Sequence, residues 1–309
     1  MTADLADVNA RIKQAVADGQ LIESSAKNIR TLLEGAGSDV YFQSVKELVH
    51  AAEWQELNDR FYQTLAFGTG GLRGRTIGKV VTTAERGNAR ESERPEFPCV
   101  GTNAMNFFNI TRATRGLVAY LQDCNRRDER STKPKIVIAH DPRFFSKEFA
   151  ELAAKVAAEN GCDAFVFDGP RSVPELSFAV RYLHACAGIV ITASHNPPHD
   201  NGYKVYFDDG AQVIEPHASG IIAKVNAITQ LEYGGSTALT TAASVGQVGS
   251  VKALLELGAD PRLKMKDGGT ALSHAQESKN EEVVALIQAA LAKAPPPAKA
   301  PPARKRSGG

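Results

Sequence analysis

The sequence predicts a three-layer α/β/α domain on a mostly parallel sheet, followed by a small all-α helix-pair segment. Three observations predict it. Short apolar runs recur at "KIVIAHD" (135–141), "DAFVFDG" (163–169) and "AGIVITAS" (187–194), with "YKVYFDD" (203–209) as a fourth, and helical patterns separate the first three. Strand–helix–strand–helix–strand with short links builds a parallel sheet covered on both faces. The composition then shifts near residue 230 to helical stretches without strand patterns. Finally, 309 residues at 43% apolar and 23% charged suit about two soluble globular domains.

The elements follow in order. Leu5, Val8, Ile12 and Val16 recur at helical spacing, and Gly19 ends that helix. Ile29, Leu32 and Leu33 mark a second, stopped by "GAG". A third is predicted over Val45 to Thr64, carrying Leu48, Trp54, Leu57 and Phe61, with Leu65 just beyond. All three stripes read as core packing. "KIVIAHD" is a continuous apolar run, as a strand buried on both faces requires. Ser146 is the predicted cap of the helix "KEFAELAAKVAAEN", which Gly161 ends. Pro174 suits the first turn of a helix running through Leu183. The predicted divisions are N-terminal helices at 1–40, the α/β domain at 41–228, a linker at 229–236, helix pairs at 237–292 and a tail at 293–309.

Charge and composition narrow the function. Thirty-six basic against 35 acidic residues leave a net charge of +1, which argues for neither nucleic acid nor a membrane surface. The terminal "ARKRSGG" reads as a solvated basic end, and the Pro/Ala-rich 293–309 as a disordered tail. Cys99, Cys124, Cys162 and Cys186 are widely spaced with no CxxC, the usage of free thiols in a reducing cytoplasm. The N-terminus has no apolar secretory core, and no run approaches the roughly 18 apolar residues of a membrane span. A cytoplasmic location is therefore expected.

"TALTTAA" begins at Thr237 and "TALSHAQ" at Thr270, 33 residues later, and "LLELGADP" lies between them. This period and turn resemble ankyrin repeats, which implies a surface for a protein partner. Fewer than two full copies are present, and about three are needed to bury a continuous core. Leu254, Leu255, Val283, Val284 and Leu286 are the predicted shared core, and Tyr233–Gly235 the predicted joint.

"AHDPR" and "TASHNP" both fall at carboxyl ends of predicted strands, where α/β sheets bind ligands. "TASHNP" followed by "NGYKVY" resembles the phosphoserine loop of the α-D-phosphohexomutases, the phosphoglucomutase/phosphomannomutase family. "FGTGGLRG" (67–74), "AHDPRFFS" (139–146) and "SVPELSFAVR" (172–181) resemble further segments of that family's first domain, in family order. The resemblance covers about residues 40–228. It implies an isomerase acting as an intramolecular phosphotransferase in carbohydrate metabolism, with a hexose phosphate as substrate and a hexose bisphosphate as primer. It implies that Ser194 carries the phosphoryl group, with His195 beside it. Lys204 and Arg73 would then assist proton transfer and charge balance. Asp141 and Arg143, with Gly70 and Gly71, would shape the substrate crevice.

The family's Mg²⁺ is held by the phosphoserine and three aspartates of a D-x-D-x-D-R loop in the next domain. After Asp209 this sequence has only Asp260 and Asp267, both in the ankyrin-like part. Phosphorylated Ser194 is then the one family metal ligand present. The expectation is mutase chemistry retained in form but poorly active alone. Two alternatives stand beside it: an ankyrin-type binding module on an inactive α/β scaffold, and an artificial gene fusion. The resemblance implies that the contacts selecting the hexose belong to the family's other domains.

Overall fold

The computed structural model describes residues 2–35, 39–68, 70–128, 132–228, 269–278 and 280–293, with scattered positions from 239 to 262. It divides into two compact units, Met1–Glu232 and Tyr233–Gly309.

The first unit is organised by a five-stranded sheet. In chain order its strands are β1 (Gly71–Arg75), β2 (Lys135–His140), β3 (Asp163–Val166), β4 (Ala187–Ile191) and β5 (Asp200–Phe207). The spatial order is β1-β5-β4-β2-β3. β2 pairs in parallel with β3 and β4, while β5 runs antiparallel to both β4 and β1. The sheet is therefore mixed rather than mostly parallel: two pairings are parallel and two antiparallel, because β5 alone runs against the other four strands. Its reversal has a simple cause: residues 192–199 alone join β4 to β5, and a parallel return needs a crossover of about a dozen or more residues.

Helices α6 (Phe107–Arg127), α7 (Ser146–Glu159) and α9 (His217–Asn226) cover one face, and α8 (Val173–Tyr182) covers the other. Alternation within the strands serves both. Ile136 and Ile138 join Leu117, Phe149 and Tyr203, while Val137 and Ala139 join Leu176 and Val180. α8 opens as expected, with Ser172 and Glu175 forming a capping box and Pro174 in the first turn.

Four helices precede the sheet: α1 (Thr2–Ala17), α2 (Glu23–Gly35), α3 (Asp39–His50) and α4 (Trp54–Phe61); α5 (Thr83–Arg86) is a single turn after β1. α1 to α4 share a core of Val8, Ile12, Ile29, Val45, Leu48, Leu57 and Phe61. The third helix predicted over Val45 to Thr64 is in fact two, α3 and α4. Ala52 sits at φ 54°, the Glu53 N–H donates to Leu48 O at 2.9 Å, and the Ala52 N–H donates to Val49 O at 3.2 Å. This is the closure that normally uses glycine, as Gly19 does at φ 70°. Alanine in that place left no mark in the sequence.

In the second unit, α10 (Ala271–Glu277) and α11 (Glu281–Lys293) form a helix pair. Thr270 caps α10 in a box with Ser273, so the second "TAL" copy starts a helix. Leu255, Val283, Val284 and Leu286 lie in or against one cluster with Leu239, Ala271 and Ile287. Leu254, the linker 229–236 and the tail from 294 lie outside the described residues. Among the described residues, no helix is long and apolar enough to cross a membrane.

Candidate active site at the Ser194 loop

Two loops leave adjacent parallel strands at their carboxyl ends, residues 141–145 after β2 and 192–199 after β4. The Asp141 N–H donates to Ile191 O at 3.1 Å and ties them together. Asp141 then turns inward. Its Oδ1 accepts from the Arg143 N–H at 3.0 Å and from Ser146 Oγ at 2.7 Å, and its Oδ2 meets Arg143 Nε at 3.3 Å. Ser146 is not the cap of α7. It is the first residue of the helix after Phe145 at φ 63°, and its buried hydroxyl also accepts from Asn201 Nδ2 at 2.9 Å. The cap is displaced because the hydroxyl is committed to Asp141 and Asn201.

Arg143 reaches across to the second loop. Its Nη1 donates to Pro197 O at 2.9 Å and Asp200 O at 3.3 Å, and its Nη2 to Ser194 O at 2.5 Å and Asn196 O at 2.7 Å. Ser194 itself lies at φ 57°, a left-handed conformation that serine rarely adopts. Its N–H donates to Thr192 Oγ1 at 2.9 Å. Its side chain is exposed, and its Oγ lies 3.5 Å from His195 Nδ1, the outer limit of a hydrogen bond.

Arg73 and Lys204 approach from the sheet. In the β1–β5 ladder Gly71 pairs with Lys204 and Arg73 with Gly202, and Gly202 O accepts from the Thr192 N–H at 2.9 Å. Arg73 Nη1 donates to Asn196 Oδ1 at 3.2 Å, and Asn196 Nδ2 donates to Asp200 Oδ2 at 3.0 Å. Burial, helped by the nearby Arg73 charge and opposed by Asp141, lowers the Lys204 ammonium below its ordinary value of 10.5. Gly71 has a packing reason: at φ 125°, a Cβ there would meet Tyr203 O at 1.8 Å. Gly70 has none of that force, since a Cβ there meets only the movable Gln212 side chain. Beside β1 opens a cleft of about 510 Å³, lined by Arg73, Arg75, Tyr62, Gln63 and Asn103 among others.

Residues 99–232 match the family model described as phosphoglucomutase/phosphomannomutase, alpha/beta/alpha domain I. That match lies within the α/β unit. Residues 234–266 match the ankyrin repeat model. Mouse phosphopentomutase is 35% identical over 189 residues, 58% of this chain and 26% of its own length. A Staphylococcus saprophyticus phosphoglucomutase is 35% identical over 184 residues, 60% of this chain and 28% of its own. A crystal structure from Thermus thermophilus, described as a phosphomannomutase, overlays with a TM-score of 0.40 at 31% identity, covering 53% of this chain and 30% of that one. The chain thus spans about a quarter of the length of the curated relatives it matches, 26% and 28%.

The family match to domain I begins at Cys99, so β1 and Arg73 lie before it. Their place beside the Ser194 loop comes from the β1–β5 pairing and from the Arg73–Asn196 hydrogen bond. The structure thus brings Ser194, His195, Arg73, Asp141 and Arg143 together around one loop, with Lys204 on the adjoining strand. Thr192, Asn196 and Asn201 were missed as separate residues, although "TASHNP" and "NGYK" contain them. Asparagine is depleted in strands, so Asn201 at the buried start of β5 was the available signal. Mg²⁺ does not fit the donors present. Asp141 is spent on Arg143 and Ser146, Asp200 accepts from Asn196, and no group of three metal-ligating side chains occurs among the described residues.

Proposed function

We propose that domain I carries a phosphoryl group on Ser194 for intramolecular transfer on sugar phosphates. The observation that carries this reading is the loop itself: an exposed serine held at positive φ at a strand's carboxyl end, with Arg73 bonded to the same loop at Asn196 and Lys204 on the adjoining strand. The step is substitution at phosphorus. A bond forms between Ser194 Oγ and the phosphorus of a sugar bisphosphate, and the bond from phosphorus to the sugar oxygen breaks. The serine proton must leave and the sugar oxygen must gain one. Lys204, held below its ordinary value by burial, is the group suited to exchange that proton. Arg73 supplies positive charge beside the loop, and phosphoryl transfer rests largely on such charge and positioning. Relatives named for both hexose and pentose substrates match, so the substrate class is a sugar phosphate, with a hexose phosphate as the working choice.

Among the described residues none makes a Mg²⁺ site, and the step above passes through no metal. A metal clamp on transferring phosphate is worth several kcal/mol of transition-state stabilisation, so full turnover by this chain is expected to be negligible. Purified protein incubated with labelled glucose 1,6-bisphosphate and Mg²⁺ should take label on Ser194 while a coupled assay with glucose 1-phosphate stays at background. Absence of label, or label unaffected by Ser194→Ala, would sink the carrier reading. Robust turnover abolished by Ser194→Ala would overturn the expectation of inactivity.

A second reading rests on the ankyrin match at 234–266: the C-terminal unit recruits a protein partner, and the α/β unit serves as its scaffold. Pull-down with the full chain against Leu255→Asp and Val283→Asp variants tests it, because both residues belong to the helix-pair core.

A further inference from the structure

We propose that Arg143 is a positioning residue that sets the shape of the Ser194 loop and takes no part in holding substrate. This deepens the carrier reading and rests on it. A guanidinium has five N–H donors. In Arg143 four hydrogen bonds run to carbonyls, from Nη1 to Pro197 O and Asp200 O and from Nη2 to Ser194 O and Asn196 O, while Nε lies 3.3 Å from Asp141 Oδ2 in an ion pair. Both Nη groups are taken up by the loop and Nε faces a carboxylate, which disfavours a phosphate there.

The placement of those bonds matters as much as their number. The φ angle of Ser194 is the rotation about its N–Cα bond, which sits between its N–H and its carbonyl group. Thr192 Oγ1 holds the first at 2.9 Å and Arg143 Nη2 the second at 2.5 Å. Left alone, serine would leave the left-handed region, so the two bonds together hold the backbone near φ 57°. With four carbonyls turned toward Arg143, the Ser194 side chain is left on the exposed side. Asp141 completes the device by aiming the guanidinium, and it is itself fixed by Ser146. Lysine cannot replace this clamp, because an ammonium has three donors and no planar fork.

The test uses the full chain as wild type, Arg143→Lys and Arg143→Ala. Hydrogen exchange is followed at the Asn196 and Asp200 amides, which bond within the loop to Ala193 O at 3.1 Å and Pro197 O at 3.0 Å. The amides of Ile189 and Val190 in buried β4 serve as controls. Both variants should exchange the loop amides at least about tenfold faster with the β4 amides unchanged, since fewer bonds then oppose local opening. In labelling with glucose 1,6-bisphosphate, the saturating rate should fall roughly a hundredfold, the cost of a small misplacement of a reacting group. The half-saturating concentration should stay put, and added guanidinium ion should restore rate to Arg143→Ala. Three results overturn the proposal: loop exchange at the wild-type rate, β4 amides accelerated as much as the loop in both variants, or a raised half-saturating concentration with unchanged rate. The exchange result decides the clamp even if wild type takes no label, which would count against the carrier reading alone.

Discussion

Two arginines organise two corners of the α/β unit, and they are used in opposite ways. Arg60, on α4, is buried with its charge partners. It meets Glu56 at 2.8 Å and Glu85 at 2.5 Å, donates to Val100 O at 3.3 Å and also to Val80 O. Glu85 is held in turn by Ser44, Thr82 and the Val100 N–H. Arg143 is more open, and apart from Asp141 its partners are main-chain carbonyls of one loop. The first network answers a burial problem: two carboxylates and a guanidinium out of water must satisfy one another. The second answers a geometry problem, an exposed serine in a conformation it would not choose. Removing Arg60 should therefore cost stability, and changes around Ser194 should cost less stability and more function.

The sharpest way to break this contrast is Arg60→Met. It leaves Glu56 and Glu85 buried without their counter-charge, and breaking such a pair costs about 3–5 kcal/mol. Thermal and denaturant melts should show that loss, partly recovered by adding Glu85→Gln. A loss under about 1 kcal/mol would mean the network is not what holds α4 against the loop before α6. Cys99, buried in the same corner with its thiol pushed up to about 12 by burial, should stay inert to alkylating reagents at about pH 8, below even the ordinary thiol range, and react once Arg60→Met loosens the site.

Asn201→Ala comes next and tests the hinge between the two loops. The buried amide donates to Phe144 O at 3.0 Å and Ser146 Oγ at 2.9 Å and accepts from the Gly202 N–H at 2.8 Å. Leaving those groups unsatisfied should cost about 1–3 kcal/mol, read as a lower denaturant midpoint. If the midpoint is unchanged, Ser146 and Phe144 find other partners and the two loops are less coupled than their bonds imply.

Ser194→Gly has a smaller effect of opposite sign. Relief of the left-handed serine is worth about 1–2 kcal/mol, and the freer unfolded glycine chain takes back about 0.4–1 kcal/mol. The variant should be as stable as wild type or slightly more so, while losing phosphate labelling. Clear destabilisation would show that the Ser194 side chain supports the loop, contrary to the division of labour between the two arginines.

Much of this was legible in the sequence, and the gaps have physical causes. The apolar runs and their order pointed to the sheet and its helices, because buried parallel strands have little freedom in composition. The reversal of β5 followed from the length of one connection, yet it needed the structure to be seen. The α3–α4 break was hidden because alanine stands where glycine would have announced it. At the site, residue types pointed to Ser194, Lys204 and Arg73 through their resemblance to a family. The actual use of Arg143 was not readable, since a list of residues does not say that four carbonyls of a distant loop face one guanidinium. The Arg60 network was missed altogether. Glu56 and Arg60 look like an ordinary i,i+4 surface pair until Glu85 arrives from 25 positions downstream.

Lys204 gives the smallest and most specific test. Burial lowers its folded value below 10.5, and Arg73 adds to the shift. Its charged form is therefore disfavoured by folding. Above 10.5 the side chain is neutral in both states and carries no penalty. As pH falls from there through the folded value, the unfolded state binds the proton first, and the penalty grows until it is complete below the folded value. Lys204→Met should then be slightly more stable than wild type at about pH 7, with the difference vanishing above pH 10.5; paired denaturant midpoints at the two pH values cancel the titration of every other group. On the carrier reading, phosphorylation of Ser194 should reverse the sign. A dianion beside the ammonium favours its charged form, so the labelled wild type should gain stability that labelled Lys204→Met does not. A variant less stable than wild type at neutral pH without label would show that burial does not govern Lys204, and would remove the ground for giving it the proton.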